Sequence, residues 1–570
     1  MNRIGNKSKQ VMKRIRKLLC LCVLIPLLGS AQDLRLNVLR DELKRQMTEL
    51  SQLEEKPYYI NFRVEENTAY SVSARFGALL SSNSERSSVF MPQIRLGSVD
   101  LDSHMSGQAQ GGRRGNESPQ QVAMPLEVDM SEAAMRQAIW REVNTRYKAS
   151  LRSLESERAR SGVAARGQDN APNFTPITPE KFFEPDFTPE QRKFDAAYWE
   201  ARVREYSAIP MREQSIIQAS ASISFNLNRR YFVDTDGSEI AQNHTYCRLM
   251  VQATTMADDG MELPLNVSYF AFKPEDLPKP EKVKADVEAL TDKLIELRKA
   301  PLVQPYTGPA LLSGDASGVF FHEIFGHRIE GQMMKNTTDG QTFKKLVGEY
   351  VLPESMSVFD DPTLKTYNGW DLNGYFQYDE QGVKGERVNV VVDGILRDFL
   401  MTRTAIEGFE KTNGHGRAQM GYEPVSRQSN LVIETSDPKT EAALRELLVE
   451  EIKSQGKEYG FLFRQVTGGF TMTSATSTNS FQVTPLEVYR VYPDNRPDEL
   501  VRGVDLIGTP LSMFSNIQYA GGETKMFIGT CGAASGNIPV TAISPMIMVN
   551  KIEVQRKPSP RVLPHILPRP

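Results

Sequence analysis

The stretch Gly318-Val-Phe-Phe-His322-Glu323-Ile-Phe-Gly326-His327 sets two imidazoles and a carboxylate side by side at the end of a short apolar run. The chain has 570 residues and six histidines, so two of them flanking a glutamate form a concentrated signal. Two neutral His side chains bind Zn²⁺ well, and a Glu beside them can take a proton from a water polarised by the ion. That is metallopeptidase chemistry. The common zinc-peptidase helix carries its histidines at i and i+4, on one face. Here the second His stands at i+5, and a regular helix would turn the two rings roughly 140° apart. Two distortions would bring them back together. One is a π-bulge, which turns less per residue. The other is a helix break at Gly326, with His327 folding back from the next turn.

A catalytic zinc has three protein ligands and an open fourth position. The other histidines are His104, His244, His415 and His565; the cysteines are Cys20, Cys22, Cys247 and Cys531. Cys531 sits in Ile528-Gly529-Thr530-Cys531-Gly532, where the glycines allow close backbone approach to a site. A thiolate is a good zinc ligand, and the ion itself lowers the thiol pKa. From spacing alone the residue could equally be a small buried apolar side chain. A Cys247–Cys531 bridge in an oxidising compartment is a further reading, and it would exclude the metal role.

His322-Glu-Ile-Phe-Gly-His327-Arg-Ile-Glu330-Gly resembles the signature of the TldD/PmbA family, in its TldD-like branch. Later segments match in the same order: Asp360-Asp361-Pro-Thr-Leu, Tyr378-Asp379-Glu380-Gln-Gly382, Val392-Asp-Gly394-Ile-Leu and Thr412-Asn-Gly414-His-Gly416-Arg417. Ser429-Asn430-Leu, Gly529-Thr-Cys531-Gly532 and Asn537-Ile-Pro539-Val complete the set, which covers residues 220–555 well. The resemblance implies a metallopeptidase in which His322, His327 and Cys531 bind the metal and Glu323 is the base. It implies small or unfolded peptide substrates, and a homodimer or a heterodimer with a related subunit. One Zn²⁺ per chain is the expected cofactor, with another divalent ion as the alternative for this donor set. His415 and Arg417 are candidate substrate-binding residues, a polar turn being the plainer reading. The chain departs from the family at Asp379-Glu380-Gln381-Gly382, which usually reads Asp-Asp-Glu-Gly, and residues 100–215 match nothing in it.

The first residues suggest a compartment. Arg3, Lys7, Lys9, Lys13, Arg14, Arg16 and Lys17 precede an apolar run from Leu18 to Leu28, then Gly29-Ser30-Ala31. This reads as a secretory signal peptide over 1–31, too short to span a bilayer, and predicts a periplasmic or extracellular protein. TldD-like proteins are mostly cytosolic, so export is a further departure. The net charge of −3 implies no general attraction to nucleic acid, and no other run is apolar enough for a stable membrane span.

The rest reads as an α+β, two-domain chain. Leucines at i+3 and i+4 steps predict a helix over 34–54. Alternating runs predict strands at 57–64, 69–80, 88–96, 219–226, 230–233, 245–253 and 263–271. The expected N-terminal α+β domain covers 32–275, with a helical insertion at about 103–215. That insertion combines a Gly- and Gln-rich loop at 103–124 with helices over 131–160 and 188–206. It reads as a packed helical hairpin, with a lid or dimer contact as the functional alternative. A helix at 282–298 leads into a β-rich, barrel-like C-terminal domain over 276–556, which carries the metal helix and one more helix at 440–455. Residues 557–570 are Pro-rich and read as a disordered tail. The rival to an enzyme is a non-catalytic exported binding or partner protein with a structural metal. That site needs a fourth protein ligand, and none stands at short spacing.

Overall fold

A computed structural model describes residues 33–104, 124–126, 131–161, 169–335, 341–471, 481–494, 496–558 and 567. The leader expected at 1–31, most of the loop at 103–124 and most of the tail at 557–570 lie outside these residues. Five antiparallel strands build the first sheet: β1 (Pro57–Arg75), β2 (Ala78–Leu96), β3 (Ile216–Asp234), β4 (Glu239–Met256) and β5 (Glu262–Ala271), in the order β2-β1-β3-β4-β5. Two short segments, Met124–Pro125 and Lys181–Phe183, add to β2 and β4. Phe76 and Gly77, with φ of 48° and 77°, make the tight turn between β1 and β2.

The strands are longer than their sequence pattern predicts. Glu65, Glu66 and Asn67 interrupt the apolar alternation and read as a gap between two strands. In the sheet they face Arg230, Arg229 and Asn228 of β3, and these polar partners carry the ladder straight through.

The two faces of this sheet differ. One is apolar and covered by helices. Helices α1 (Leu34–Leu50) and α2 (Glu132–Ser161) pack on Ile60, Phe62, Val64, Phe90 and Ile94. Helix α3 (Ala196–Ala208) packs through Trp199, Val203 and Tyr206 on Val72, Ala74, Ile223 and Phe225. The insertion therefore contributes two separate covers for the sheet, rather than a hairpin packed on itself. A capping box does form at Thr188 and Gln191, yet α3 begins only at Ala196, behind the cap Asp195. Phe194 is drawn out between them to stack on Tyr70 and Phe225. Helix α4 (Pro280–Lys299), expected to lead into the second domain, also lies on the first sheet. Its apolar stripe of Val283, Val287, Leu290 and Leu294 meets Leu249, Leu263 and Leu265.

The opposite face is polar and meets the C-terminal region. Arg63 Nη2 donates to Tyr422 O, Gln93 Nε2 to Glu423 Oε2, and Gln242 Nε2 to Tyr378 O. The insertion also sends a strap across this seam. Phe174 lies between the guanidinium groups of Arg95 and Arg403, 4.0 and 3.8 Å from its ring centre. Lys335 Nζ donates to the carbonyls of Ala171 and Ala405.

The C-terminal region is built on a second, eleven-stranded sheet. Its main strands are β6 (Tyr306–Leu312), β7 (Met356–Asp360), β8 (Val388–Val392), β9 (Asn430–Thr435), β10 (Gly460–Thr471), β11 (Phe481–Val491), β12 (Val504–Gly508), β13 (Ile517–Ala533) and β14 (Gly536–Arg556). They run β8-β7-β9-β14-β12-β11-β10-β6, and β6 pairs back onto β14. Strands β14, β12, β11, β10 and β6 thus close a barrel, as the barrel-like reading anticipated. Helix α5 (Gly314–Ile324) packs against β10, β13 and β14. It is buried on every side from Ala316 to Ile324, which explains why its sequence is apolar all round. Helix α6 (Glu441–Ser454), capped by Thr440, covers the outside. No helix of the described residues is long and apolar enough to cross a membrane.

Candidate metal centre

Helix α5 carries His322 and Glu323 in its last turn and ends at Ile324. Phe325 still bonds back to Phe321 O, and the chain then tightens into a 3₁₀ turn over Gly326–Arg328. Of the two distortions considered, the break at Gly326 is the one present. His327 comes from the tightened turn and its ring lies beside that of His322, with centroids 4.9 Å apart. Gly326 is required by close approach. A Cβ there would fall 1.9 Å from Gln428 Oε1.

Cys531 enters from β13, near the tip of the β13–β14 hairpin. Its Sγ lies 3.2 Å from His322 Nε2 and 3.3 Å from His327 Nε2. Cys531 and His322 are buried, and His327 is nearly so. The three ligand atoms all lie within 4.8 Å of one another, and no other such cluster of His, Cys, Asp or Glu occurs among the described residues. Cys247 lies apart in the apolar cluster under β4, a free thiol that burial pushes up. The bridge reading is therefore excluded.

The electrostatics tie the three groups to one another. Burial pushes the Cys531 thiol up, but the neighbouring His327, His322 and Arg427 overcome it and hold the group well below its ordinary value. Burial pushes His327 down, while Cys531 and Glu330 attract its proton and hold it well above. Glu323 is raised, chiefly by burial, against the pull of the two histidines. Gly469 of β10 is pressed against it, and a Cβ there would meet Glu323 Cγ at 2.4 Å.

This donor set fits zinc. Ligand bonds of about 2.0–2.1 Å to nitrogen and 2.3 Å to sulfur in a tetrahedron place N and S about 3.5 Å apart. The observed separations are within a few tenths of an ångström of that value. Two histidines and one cysteine leave a fourth position free, as in catalytic zinc sites.

His415 and Arg417, expected at the substrate, are enclosed instead. His415 Nδ1 contacts Asn413 O and Oδ1 at 3.1 and 3.0 Å, and Nε2 contacts Asp360 Oδ1 at 3.1 Å. Arg417 donates to Gln428 O and Pro539 O, and burial pushes its guanidinium down to about 10. Both side chains are buried and hold loops together.

Sequence reasoning missed the residues that support the ligands. Glu330 Oε1 lies 3.2 Å from His327 Nδ1, and its position three residues on from His327 was the available signal. Arg328 Nη1 donates to Glu323 O and Ile324 O at the end of α5. Asn373 Nδ2 donates to Gly529 O, next to the cysteine. Arg427 and Gln428 reach the site from a segment 100 positions downstream of His327, and no spacing rule points to them.

Comparison with known proteins agrees with this picture. Residues 305–556 match the PmbA/TldA metallopeptidase C-terminal domain. A metalloprotease of Archaeoglobus fulgidus is 30% identical over 239 residues, covering 42% of this chain and 51% of that protein. A zinc metalloprotease TldD homolog of Saccharolobus solfataricus is 27% identical over 250 residues, 43% of this chain and 51% of its own length. The chain thus spans about half the length of these curated relatives. The crystal structure of TldE from Thermococcus kodakarensis superimposes with a TM-score of 0.59 at 11% identity, covering 91% of this chain and 100% of that one.

Proposed function

For a chain that belongs to the TldD/PmbA family, we propose a zinc-dependent metallopeptidase that hydrolyses small or unfolded peptides. The convergence of His322 Nε2, His327 Nε2 and Cys531 Sγ carries this reading. Zinc bound there would supply Lewis acidity and a water of lowered pKa. His322, His327 and Cys531 would hold the ion, and Glu330 would fix the His327 ring. Glu323, raised by burial, is suited to accept a proton at its carboxylate and return it to the leaving amine. The barrel wall around α5 keeps bulk water from the acid. The protein is read as a homodimer, or a heterodimer with a related subunit. The basic and apolar residues of 1–31 support export to the periplasm or beyond.

The test is hydrolysis of an unfolded peptide library by the purified protein, with Glu323→Ala beside it. Cleavage by the wild type and none by the variant is expected. Equal inertness of both with zinc bound would favour a non-catalytic metal-holding partner and end the peptidase reading.

A further inference from the structure

The two halves of the metal centre are separated by some 200 positions in sequence, and one buried side chain touches the supports of both. Arg427 is fully enclosed. Its Nε lies 3.4 Å from Glu330 Oε1, the oxygen that is 3.2 Å from His327 Nδ1. Its Nη2 donates to Cys531 O at 2.8 Å. Its Nη1 donates to Ser535 Oγ and Gly536 O at the hairpin tip, at 2.9 and 3.2 Å. We propose that Arg427, acting through Glu330, is the positioning residue that sets the Cys531 sulfur and the His327 ring at one distance from a shared ion. This rests on the metal site proposed above.

The planar fork is what makes this possible. A guanidinium presents its N–H groups in fixed directions, so one arginine can face a carboxylate with one edge and two backbone carbonyls with the other. Lysine brings the charge without the fork and cannot hold both. Glu330 in turn faces Nδ1 of His327, which leaves Nε2 as the ring atom directed to the sulfur. His327, Glu330, Arg427 and the Cys531 carbonyl stand in series, the first two links charge contacts at 3.2 and 3.4 Å and the last a hydrogen bond at 2.8 Å.

The test uses the full-length protein loaded with Zn²⁺ or with Co²⁺ as a spectroscopic probe. Zinc affinity is measured by chelator competition, and the cobalt ligand-field and thiolate charge-transfer bands report the geometry. Arg427→Lys and Glu330→Gln are each expected to weaken zinc about 10- to 100-fold and to shift the cobalt bands. The double variant should be no weaker than the worse single one, because both act on the same path. Folded variants that bind zinc within about twofold of wild type, with unchanged cobalt bands, would overturn the proposal. So would strictly additive losses, which mean two independent supports. If Arg427→Lys fails to fold, the near-isosteric Glu330→Gln decides alone. A wild type that takes up neither ion would instead sink the metallopeptidase reading itself.

Discussion

Two histidine clusters lie in the C-terminal region, and they are finished differently. Around His415 every polar atom of the ring has a partner: Asn413 on one side and Asp360 on the other. Asp360 is shared further with the amide and the hydroxyl of Ser429. Around His322 and His327 two Nε2 atoms converge on a single sulfur, the arrangement of three ligand atoms around one point. Satisfied buried networks make a core rigid. A buried cluster of titratable groups whose ligand atoms converge, with pKa values driven apart, is a candidate functional site. Both clusters contain a histidine inside a Gly-rich or apolar run, so the distinction lies in what the ring nitrogens face rather than in composition.

The comparison can be broken at the metal cluster first. Cys531→Ser should lower zinc affinity by more than the roughly 10–100-fold that losing an outer-shell partner costs, and activity should go with it. Equilibrium dialysis with metal analysis measures this. A serine variant that retains full zinc would remove the sulfur from the account. Glu323→Gln should reduce kcat by about 10²–10⁴-fold, the usual worth of a general base, while metal content stays at wild-type level. Steady-state kinetics beside metal analysis separates these two effects.

At the other cluster the expected order reverses. His415→Ala breaks a buried pair and leaves Asp360 without one of its partners, a change worth about 3 kcal/mol of stability. Denaturant unfolding should register that loss while zinc stoichiometry in the folded variant is unchanged. The smallest effect is expected at Cys247→Ser. Burying a hydroxyl in that apolar cluster should cost about 1–3 kcal/mol, with no change in zinc affinity or cleavage. Thermal unfolding and the same metal assay check it.

The chemistry of the site was legible because it is local and rare. His322, Glu323 and His327 are close in sequence, and glycine at 326 fitted either distortion, of which the chain makes the break. Cys531 could be suggested by its glycines but chosen only through the family resemblance, since no local rule ties position 531 to position 327. Arg427 was invisible for the same reason, its role being set by where the segment before β9 meets the tip of the β13–β14 hairpin. In the fold, the helices over 34–50, 280–299 and 441–454 followed their apolar stripes closely. The strands were read short because Glu65, Glu66 and Asn67 look like a break until Arg230, Arg229 and Asn228 are set opposite them. Cross-strand pairing is a long-range fact, and alternation within one strand does not carry it. His415 and Arg417 meet the same limit. A Gly-rich polar segment can be an exposed turn or a fully enclosed junction, and only the surrounding chain decides which.

The placement of the sulfur has a consequence for how the molecule is made. Residue 531 leaves the ribosome some 200 residues after the paired imidazoles. Until the final hairpin is synthesised and folded, a growing chain lacks the third anchor for an ion. Ion binding, and with it the hydrolysis proposed above, therefore waits on the β13–β14 hairpin closing against the end of α5.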